Sequence, residues 1–267
     1  MRRRHYTLGL ILTLLFVACE KVPITGRKQM NLISESELIG MSLTNYKNFL
    51  IKTPAVAVAD ANAQLVKKVG NNISKAVTAF MAQKGLSSRL TGYQWEFNLV
   101  KENTVNAWCM PGGKVVVYSG LLAVTQTESA LACVMGHEIA HAVARHGNER
   151  MSQSLLVQVG GTALQVALSQ KPQLTQDIFL QSFGVTSQLG MLKYSRTHES
   201  EADKMGLVFM AMAGYDPNDA IAFWERMAKT GGGNQTLELL NTHPSDEKRI
   251  ADIKKFLPEA LKYYKKK

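Results

Sequence analysis

The chain contains few cysteines: Cys19, Cys109 and Cys133 are the only ones among 267 residues. Three cysteines are too few for a disulfide-stabilised scaffold or for a zinc cluster built on thiolates. The formal charge of +10 falls to +7 without Arg2–Arg4, and the surplus is spread along the chain apart from Lys265–Lys267. A nucleic-acid-binding surface would need a basic stripe interleaved with exposed aromatic side chains. The sequence shows neither, so we expect no nucleic-acid partner.

A hydrophobic run long enough to cross a membrane is also missing. The apolar stretch Tyr6–Ala18 is shorter than the roughly 20 residues of a spanning helix, and it follows the cationic start Arg2–Arg4. This arrangement is typical of a secretory signal peptide. Its end, Leu15–Cys19, resembles a bacterial lipobox, in which the signal is cut before a cysteine that becomes the lipidated N-terminus. Phe16 departs from the usual leucine, and a retained N-terminal anchor is the alternative.

The leader predicts a domain layout and a location. Residues 1–18 are expected to be a lipoprotein-type signal peptide, and residues 19–33 a lipidated N-terminus at Cys19 followed by a turn-rich tether. Residues 34–267 are long enough for one folded domain. In lipoproteins of bacteria with two membranes, an aspartate after the cysteine usually retains the protein at the inner membrane, whereas Glu20 stands here. By this resemblance the chain is expected on the periplasmic side of the outer membrane, attached through its lipid.

The rest of the chain predicts a mainly helical α+β domain. Its composition, with 46% hydrophobic and 19% charged residues, is ordinary for a protein that buries a core. Capping patterns and apolar residues at helical spacing predict helices that begin at Ser34 with Glu37, run from about Asp60 to Lys84, and run from Thr125 with Glu128 to about Gly147. Between residues 93 and 118 the period changes to two, which predicts a strand, a hairpin and hence a small sheet. Two helical segments within residues 151–195 are expected to be a mobile cover over a site or surface helices of no special role.

The stretch His137-Glu138-Ile139-Ala140-His141 reads H-E-x-x-H within the third of these helices. Residues four apart lie on one face of a helix, so both histidines can direct a ring nitrogen at a single cation. Neutral imidazoles suit Zn²⁺, and Glu138 stands where a carboxylate can take a proton from a metal-activated water. The pattern predicts a zinc hydrolase. The alternative is a chance match with two solvated or core histidines.

The predicted hairpin stands directly before the motif helix. In zinc peptidases an exposed strand edge beside the metal commonly holds the substrate backbone extended, and the hairpin is expected either to do this or to be purely structural. Cys109 and Cys133 lie in the hairpin and in the helix, which makes them neighbours. Two buried free thiols are the favoured state, and a disulfide in an oxidising compartment is the alternative.

A catalytic zinc site usually has a third protein ligand and leaves its fourth position to water. The class with H-E-x-x-H-x-x-G-x-x-H is excluded, because Ala144 and Gly147 replace its glycine and its last histidine. On a continuous helix His146 is half a circumference away from the first histidine, which predicts a place at the surface or behind the ligands. Glu199 and Asp203, four apart on a predicted helix, suggest the third ligand and an acceptor for the outer N–H of a ligand histidine. A solvated acidic helix start is the alternative.

These motifs occur together and in the same order in the zinc metallopeptidases that include the CAAX prenyl endopeptidases and the heat-shock membrane protease HtpX. The chain resembles that family in Asn106-Ala107, Pro111–Gly113, Ala144–Gly147, Ser195–Asp203 and His243-Pro244 with Arg249. The lipobox and Pro23–Arg27 look most like the periplasmic outer-membrane lipoprotein proteases of the LoiP type. The resemblance implies a zincin-like (gluzincin) fold with one Zn²⁺ on His137, His141 and Glu199, and with Glu138 as the base. It does not extend to the membrane spans of HtpX and the CAAX enzymes, so a membrane-embedded substrate is not implied.

Three further residues lie in the segments that carry the resemblance. His243 precedes Pro244 and a predicted helix N-cap at Ser245. By the resemblance it approaches the zinc, either donating to the oxyanion or occupying the open position at rest, and a surface loop histidine is the alternative. Arg196 and Arg249 are expected to orient acidic groups or the oxyanion, with structural ion pairs as the favoured alternative.

The sequence as a whole predicts a zinc endopeptidase of the bacterial cell envelope. Its partners are expected to be polypeptide substrates, by family analogy misfolded or misassembled envelope proteins. A second class of function stays open at this point. In this alternative the chain is a chaperone or assembly factor of the outer membrane, with an outer-membrane protein or its assembly machinery as partner. Such a protein would keep the fold and the metal but would rarely cleave.

Overall fold

The computed structural model describes residues 19–159, 172–183, 194–230, 239–240, 243 and 247–265. The strands are β1 (Cys19–Lys21), β2 (Lys28–Met30), β3 (Glu96–Val100), β4 (Ala107–Met110) and β5 (Lys114–Tyr118). The helices are α1 (Glu35–Lys52), α2 (Ala61–Gln83), α3 (Ser119–Thr125), α4 (Glu128–Ala144), α5 (His146–Val159), α6 (Pro172–Phe183), α7 (Arg196–Met212), α8 (Asp219–Thr230) and α9 (Glu247–Leu261). The mainly helical α+β fold is confirmed. The predicted leader, the expected cap at Ser245, and residues 160–171 and 184–193 of the expected cover lie outside the described residues.

Helix α4 is the centre of the domain. Every residue from Ala130 to Ala144 is buried, and the helix packs against α7, α2, β4 and α8. Its N-cap is Thr127, whose hydroxyl accepts a hydrogen bond from the backbone N–H of Ala130. The capping box expected at Thr125 with Glu128 is therefore wrong, because Thr125 is the last residue of α3 and a short turn separates the two helices.

Helix α4 also ends earlier than the expected Gly147. Arg145 adopts a left-handed conformation with φ of 62°, and α5 begins in a new direction at His146. The last carbonyls of a helix have no partner within it. Here two side chains from the segment after α2 donate to them: Arg89 to Val143 and Ala144, and Tyr93 to Ala142. The break is thus stabilised by residues distant in sequence.

The three-stranded sheet lies beside α4. Strand β5 is central, pairing in parallel with β3 and antiparallel with β4. The predicted strand and hairpin are confirmed, and β4 is an edge strand of the sheet formed by the described residues. Strand β4 packs on α4, which places the hairpin directly against the motif helix.

Helices α4 and α7 cross at two glycines. A Cβ on Gly206 would lie 2.9 Å from the backbone nitrogen of His137, and one on Gly136 would lie 3.0 Å from the carbonyl oxygen of Gly206. The backbones therefore approach more closely than any larger residue permits. This close crossing brings the first turns of α7 to the face of α4 that carries the motif histidines.

Residues 19–30, which the sequence assigns to a tether, form an antiparallel hairpin of β1 and β2 that we call the N-terminal hairpin. Val22 and Gln29 are buried in it. Glu20 pairs with Arg145 at the C-terminal end of α4. The N-terminal hairpin is thus packed on the folded domain. Within the described ranges, helices that combine the length and the apolar character of a membrane span are absent.

Candidate active site

Helix α4 places the two motif histidines together. The Nε2 atoms of His137 and His141 lie 3.0 Å apart, and each side chain is 2% exposed. Helix α7 brings Glu199, whose Oε1 lies 3.4 Å from His141 Nε2 and whose Oε2 lies 3.5 Å from His137 Nε2. His243 joins them, with Nδ1 2.9 Å from Glu199 Oε1 and 3.2 Å from His137 Nε2. One ligand atom from each of these four buried residues lies within 4.8 Å of the other three.

These residues fit a zinc ion by their chemistry. Three imidazoles and one carboxylate are ordinary zinc ligands. Glu199 Oε2 is buried, and the Arg249 guanidinium 3.1 Å away forms an ion pair with it without a well-aligned hydrogen bond. Burial alone would lower the pKa of His137, but Asp203 and Glu199 outweigh it and raise the pKa to about 9. Burial lowers the pKa of His141 well below its usual value. A cation is therefore favoured at His137, where a proton and a metal ion compete for Nε2.

The outer nitrogen of His137 has a carboxylate partner. Asp203 Oδ1 lies 2.9 Å from His137 Nδ1, the position that the sequence suggested for an orienting acceptor. Arg249 donates to both oxygens of Asp203 at 2.8 and 2.7 Å, and its Nη1 lies 3.1 Å from Glu199 Oε2. Burial would raise the pKa of Asp203, but the Arg249 guanidinium and His137 lower it. Arg249 thereby holds two carboxylates of the site in place, while its guanidinium stacks 3.4 Å from the Trp224 ring centroid.

Glu138 lies beside the ligand atoms. Its side chain is buried, and Oε1 accepts no hydrogen bond from the described residues. His243 Nε2 lies 3.6 Å from Glu138 Oε1. Burial raises the pKa of the Glu138 carboxyl, which is the direction that suits a group meant to accept and return a proton.

Arg196 is the first residue of α7 and is exposed. It lines a cavity of about 410 Å³ that Glu199, Asp203 and Arg249 also line, and its role stays a prediction. Cys109 and Cys133 are buried free thiols, as expected. Burial raises the pKa of the Cys133 thiol to about 12, and that of Cys109 also lies well above its usual value.

Sequence reasoning missed two groups of residues at the site, apart from His146, for which it left open a place at the surface or behind the ligands. The Tyr194 ring lies 3.8 Å from the ring centroid of His141, and the Arg150 guanidinium stacks 3.3 Å from the Tyr194 ring centroid. Behind the ligands, a buried polar cluster contains His146, Glu149, His198 and Glu201, with Arg27 from the N-terminal hairpin. Arg27 and His146 lie in sequence motifs at residues 23–27 and 144–147, which could have pointed to this cluster. The two motifs come together only because the backbone changes direction at Arg145, and the sequence did not predict that change.

Comparison with known proteins gives a consistent classification. A model of peptidase family M48 matches residues 67–257. Mitochondrial metalloendopeptidase OMA1 of Schizosaccharomyces pombe is 34% identical over 92% of this chain and 68% of its own length. The human mitochondrial metalloendopeptidase OMA1 is 29% identical over 92% of this chain, which spans 47% of that protein. The β-barrel assembly-enhancing protease of Escherichia coli is 30% identical over 60% of this chain and 34% of its own length.

The expected location on the periplasmic side of a bacterial outer membrane is wrong by this comparison. The relatives that cover most of this chain, from fungi, a plant and vertebrates, are named as mitochondrial metalloendopeptidases. The physical reason for the error is that a leader with three arginines and no acidic residue is not specific to bacterial export, since mitochondrial targeting segments share that charge pattern. Lipidation of Cys19 stays a prediction.

The family match spans the elements that build the site, from α2 to α9. It includes the motif of His137, Glu138 and His141 and the helix that carries Glu199. M48 peptidases use zinc, which agrees with the donor set found here, and act on polypeptides. The chain therefore belongs to peptidase family M48 and is a zinc metalloendopeptidase.

Proposed function

We propose that this chain cleaves internal peptide bonds of unfolded polypeptides, with zinc held by His137, His141 and Glu199 and with Glu138 as the base. The observation that supports this most strongly is the position of four buried ligand atoms within 4.8 Å of one another. Beside them lies Glu138, whose Oε1 accepts no hydrogen bond from the described residues. Zinc bound here supplies a Lewis acid that lowers the pKa of water and polarises the scissile carbonyl.

Glu138 moves the proton in this proposal. Its raised pKa lets it take a proton from the attacking water and hand the same proton to the leaving amine. Its burial keeps bulk water away from the carboxylate during that interval. Asp203 and Arg249 do not touch the reacting atoms, and their role is to hold His137 and Glu199 in orientation.

The His243 Nδ1 atom belongs to the four-membered ligand group, which supports the closed alternative among the two that the sequence left open. In that alternative His243 would take the position that a catalytic zinc site leaves to water and substrate. Access for a substrate then requires His243 to withdraw. His243 itself lies outside the helices of the described residues, and its backbone N–H donates to the Leu239 carbonyl at 2.8 Å.

An extended polypeptide is the substrate shape that the site supports best. Strand β4 is an edge strand of the described sheet beside the motif helix, and an edge strand can bind an unfolded segment through backbone hydrogen bonds. All four residues of β4 are buried, so binding of this kind requires the edge to become exposed when the site opens. The OMA1 relatives are named as metalloendopeptidases, which agrees with cleavage inside a chain. The second candidate function is a chaperone or assembly factor that seldom cleaves. It is favoured by His243 in the ligand group and by the E. coli relative's name as a β-barrel assembly-enhancing protease.

The test is cleavage of an unfolded protein such as casein by the zinc-loaded chain and by the Glu138→Gln variant. We expect the variant to lose at least about 100-fold in rate, since a general base contributes roughly that factor or more. Chelation is expected to abolish cleavage by the wild type, and added zinc to restore it. Equal cleavage by both proteins contradicts the mechanism. Zinc binding without cleavage by either protein supports the chaperone.

A further inference from the structure

A continuous chain of hydrogen bonds connects His141 to the N-terminal hairpin. The Nδ1 atoms of His141 and His146 lie 2.9 Å apart, and His146 Nε2 lies 3.0 Å from Glu201 Oε2. Glu201 in turn accepts from the Thr25 hydroxyl at 2.7 Å and from Arg27 Nε and Nη2 at 2.9 and 3.0 Å. The two histidines and Glu201 are each no more than 3% exposed. Buried polar groups persist only where they are paired, and every link of this chain is paired.

The direction of each hydrogen bond follows from the position of the zinc ligands. His141 turns Nε2 towards His137 and Glu199, so a metal at that point takes the Nε2 lone pair. The proton of neutral His141 must then be on Nδ1, where it is donated to His146 Nδ1. His146 consequently carries its own proton on Nε2 and donates it to Glu201. One arrangement of protons satisfies all members.

The break after α4 is what makes this chain possible. On an uninterrupted helix, His146 points away from the metal side of α4. The left-handed Arg145 redirects the backbone, so that the side chain of His146 returns to the back of His141. Arg145 is fixed by Glu20 and Glu35, which belong to β1 and to the first turn of α1. The N-terminal region therefore holds both the break and the far end of the hydrogen-bonded chain.

We propose that His146 and Glu201 are positioning residues for the zinc ligand His141, and that Thr25 and Arg27 complete this support from the N-terminal hairpin. The two motif histidines then have different outer partners. His137 donates directly to the Asp203 carboxylate, whereas His141 reaches a carboxylate only through a second imidazole. This inference rests on His141 as a zinc ligand, as assigned under the proposed function.

The same cluster contains a matched arm that lacks the connection to the metal. Arg27 also donates to both oxygens of Glu149 at 2.8 and 2.7 Å, and Glu149 Oε2 lies 3.0 Å from His198 Nε2. Glu149 is 5% exposed and Glu201 3%, and His198 stacks on His146. Within the described residues, neither Glu149 nor His198 is hydrogen-bonded to a residue of the zinc site. The two arms thus share burial, charge and the Arg27 partner, and differ in their contact with His141.

The test compares the zinc affinity of matched variants by competition with a chromophoric chelator. We expect Glu201→Gln and His146→Phe to weaken zinc binding by about 10- to 100-fold, the usual effect of losing a ligand's outer partner. Glu149→Gln and His198→Phe are expected to bind zinc within about twofold of the wild type. Thermal unfolding of each metal-free variant shows whether it folds. If His146→Phe fails to fold, the comparison of Glu201→Gln with Glu149→Gln alone tests the inference.

Nitrogen NMR of the zinc-loaded wild type gives a readout independent of stability and activity. It is expected to show His141 as the Nδ1–H form and His146 as the Nε2–H form. Equal zinc affinity of Glu201→Gln and Glu149→Gln, or the opposite tautomers, overturns the inference. A wild-type chain that binds no zinc overturns the proposed function instead, so the two failures are distinguishable.

Discussion

At the scale of single residues, the site is defined by which nitrogen each histidine turns inward. The outer nitrogens of His137 and His141 lie against Asp203 and His146, so both Nε2 lone pairs face the same point. The sequence predicted a carboxylate acceptor for one ligand histidine, since Asp203 lies four residues after Glu199 and on the same face of α7, but it did not specify which histidine. It did not predict that His146 lies behind His141 in particular, because the distance between them depends on a backbone conformation at Arg145 that no local pattern signals.

Removal of the His243 ring is expected to open the site. The His243→Ala variant should cleave an unfolded substrate faster than the wild type, because in the proposed closed arrangement the ring takes the position that water and substrate need. The same variant should bind zinc about tenfold more weakly, since one potential ligand is lost. The measurements are kcat, KM and zinc affinity, with Glu138→Gln in the same background as the control for contaminating protease. A fall in kcat with unchanged zinc affinity contradicts the closed arrangement and supports a role at the oxyanion.

At the scale of elements, the third ligand reaches the site because α7 crosses α4 at two glycines. Periodicity located α1 and α2 well, and the Ser34 cap is confirmed by its side-chain hydrogen bond. The predicted bounds of α4 were less accurate, because a turn precedes it and Arg145 ends it. The crossing itself was not predictable from local pattern, because Gly136 and Gly206 have ordinary helical surroundings in the sequence. Their role becomes visible only in the folded structure, where a Cβ added at either glycine would lie 3.0 Å or less from a backbone atom of the other helix.

The Gly206→Ala substitution is expected to destabilise the protein and loosen the zinc site. The new methyl group would lie 2.9 Å from the His137 backbone nitrogen, and overpacking of this kind costs about 1–3 kcal/mol. Gly40→Ala is the control, because a Cβ on Gly40, in the interior of α1, meets nothing within 4 Å. That change should be neutral or stabilising by up to about 1 kcal/mol. The measurement is the free energy of unfolding in urea, with zinc affinity alongside, and equal effects of both substitutions contradict the close crossing.

At the scale of the whole molecule, the N-terminal hairpin belongs to the catalytic domain. The sequence treated residues 19–33 as a tether because they are rich in turn residues, and composition alone cannot show that Thr25 and Arg27 meet carboxylates more than 100 positions away. The location failed for a related reason. A leader is read by cellular receptors, and its charge and apolar length do not specify one compartment. The zinc site, by contrast, was predictable because its spacing is fixed by helix geometry.

The packing of the N-terminal hairpin on the domain is expected to weaken at acid pH. Burial would raise the pKa of Glu149, but Arg27 and His198 outweigh it and lower the pKa from 4.5 to about 2. A carboxyl group whose pKa is lower in the folded state stabilises the fold at any pH above its pKa in the unfolded chain. For Glu149 this contribution is lost as the pH falls from 4.5 towards 2. Glu149→Gln should therefore cost about 2 kcal/mol at pH 7, and the difference should shrink towards pH 3.

The measurement is the free energy of unfolding of metal-free wild type and Glu149→Gln between these pH values. The same pair in an Arg27→Ala background is the control, because removal of Arg27 takes away the main partner of Glu149. There the cost of Glu149→Gln should be smaller at every pH. A cost that is independent of both pH and Arg27 contradicts an ionised pair in the N-terminal hairpin.

The most direct test of the central claim measures zinc affinity and casein cleavage together on the wild type, Glu138→Gln and Glu199→Gln. If Glu138 moves the proton and Glu199 holds the metal, the two functions separate. Glu138→Gln should bind zinc like the wild type and fail to cleave. Glu199→Gln should lose more than about 100-fold in zinc affinity, and its cleavage with it. Wild-type zinc affinity in Glu199→Gln, or wild-type cleavage by Glu138→Gln, would contradict the account.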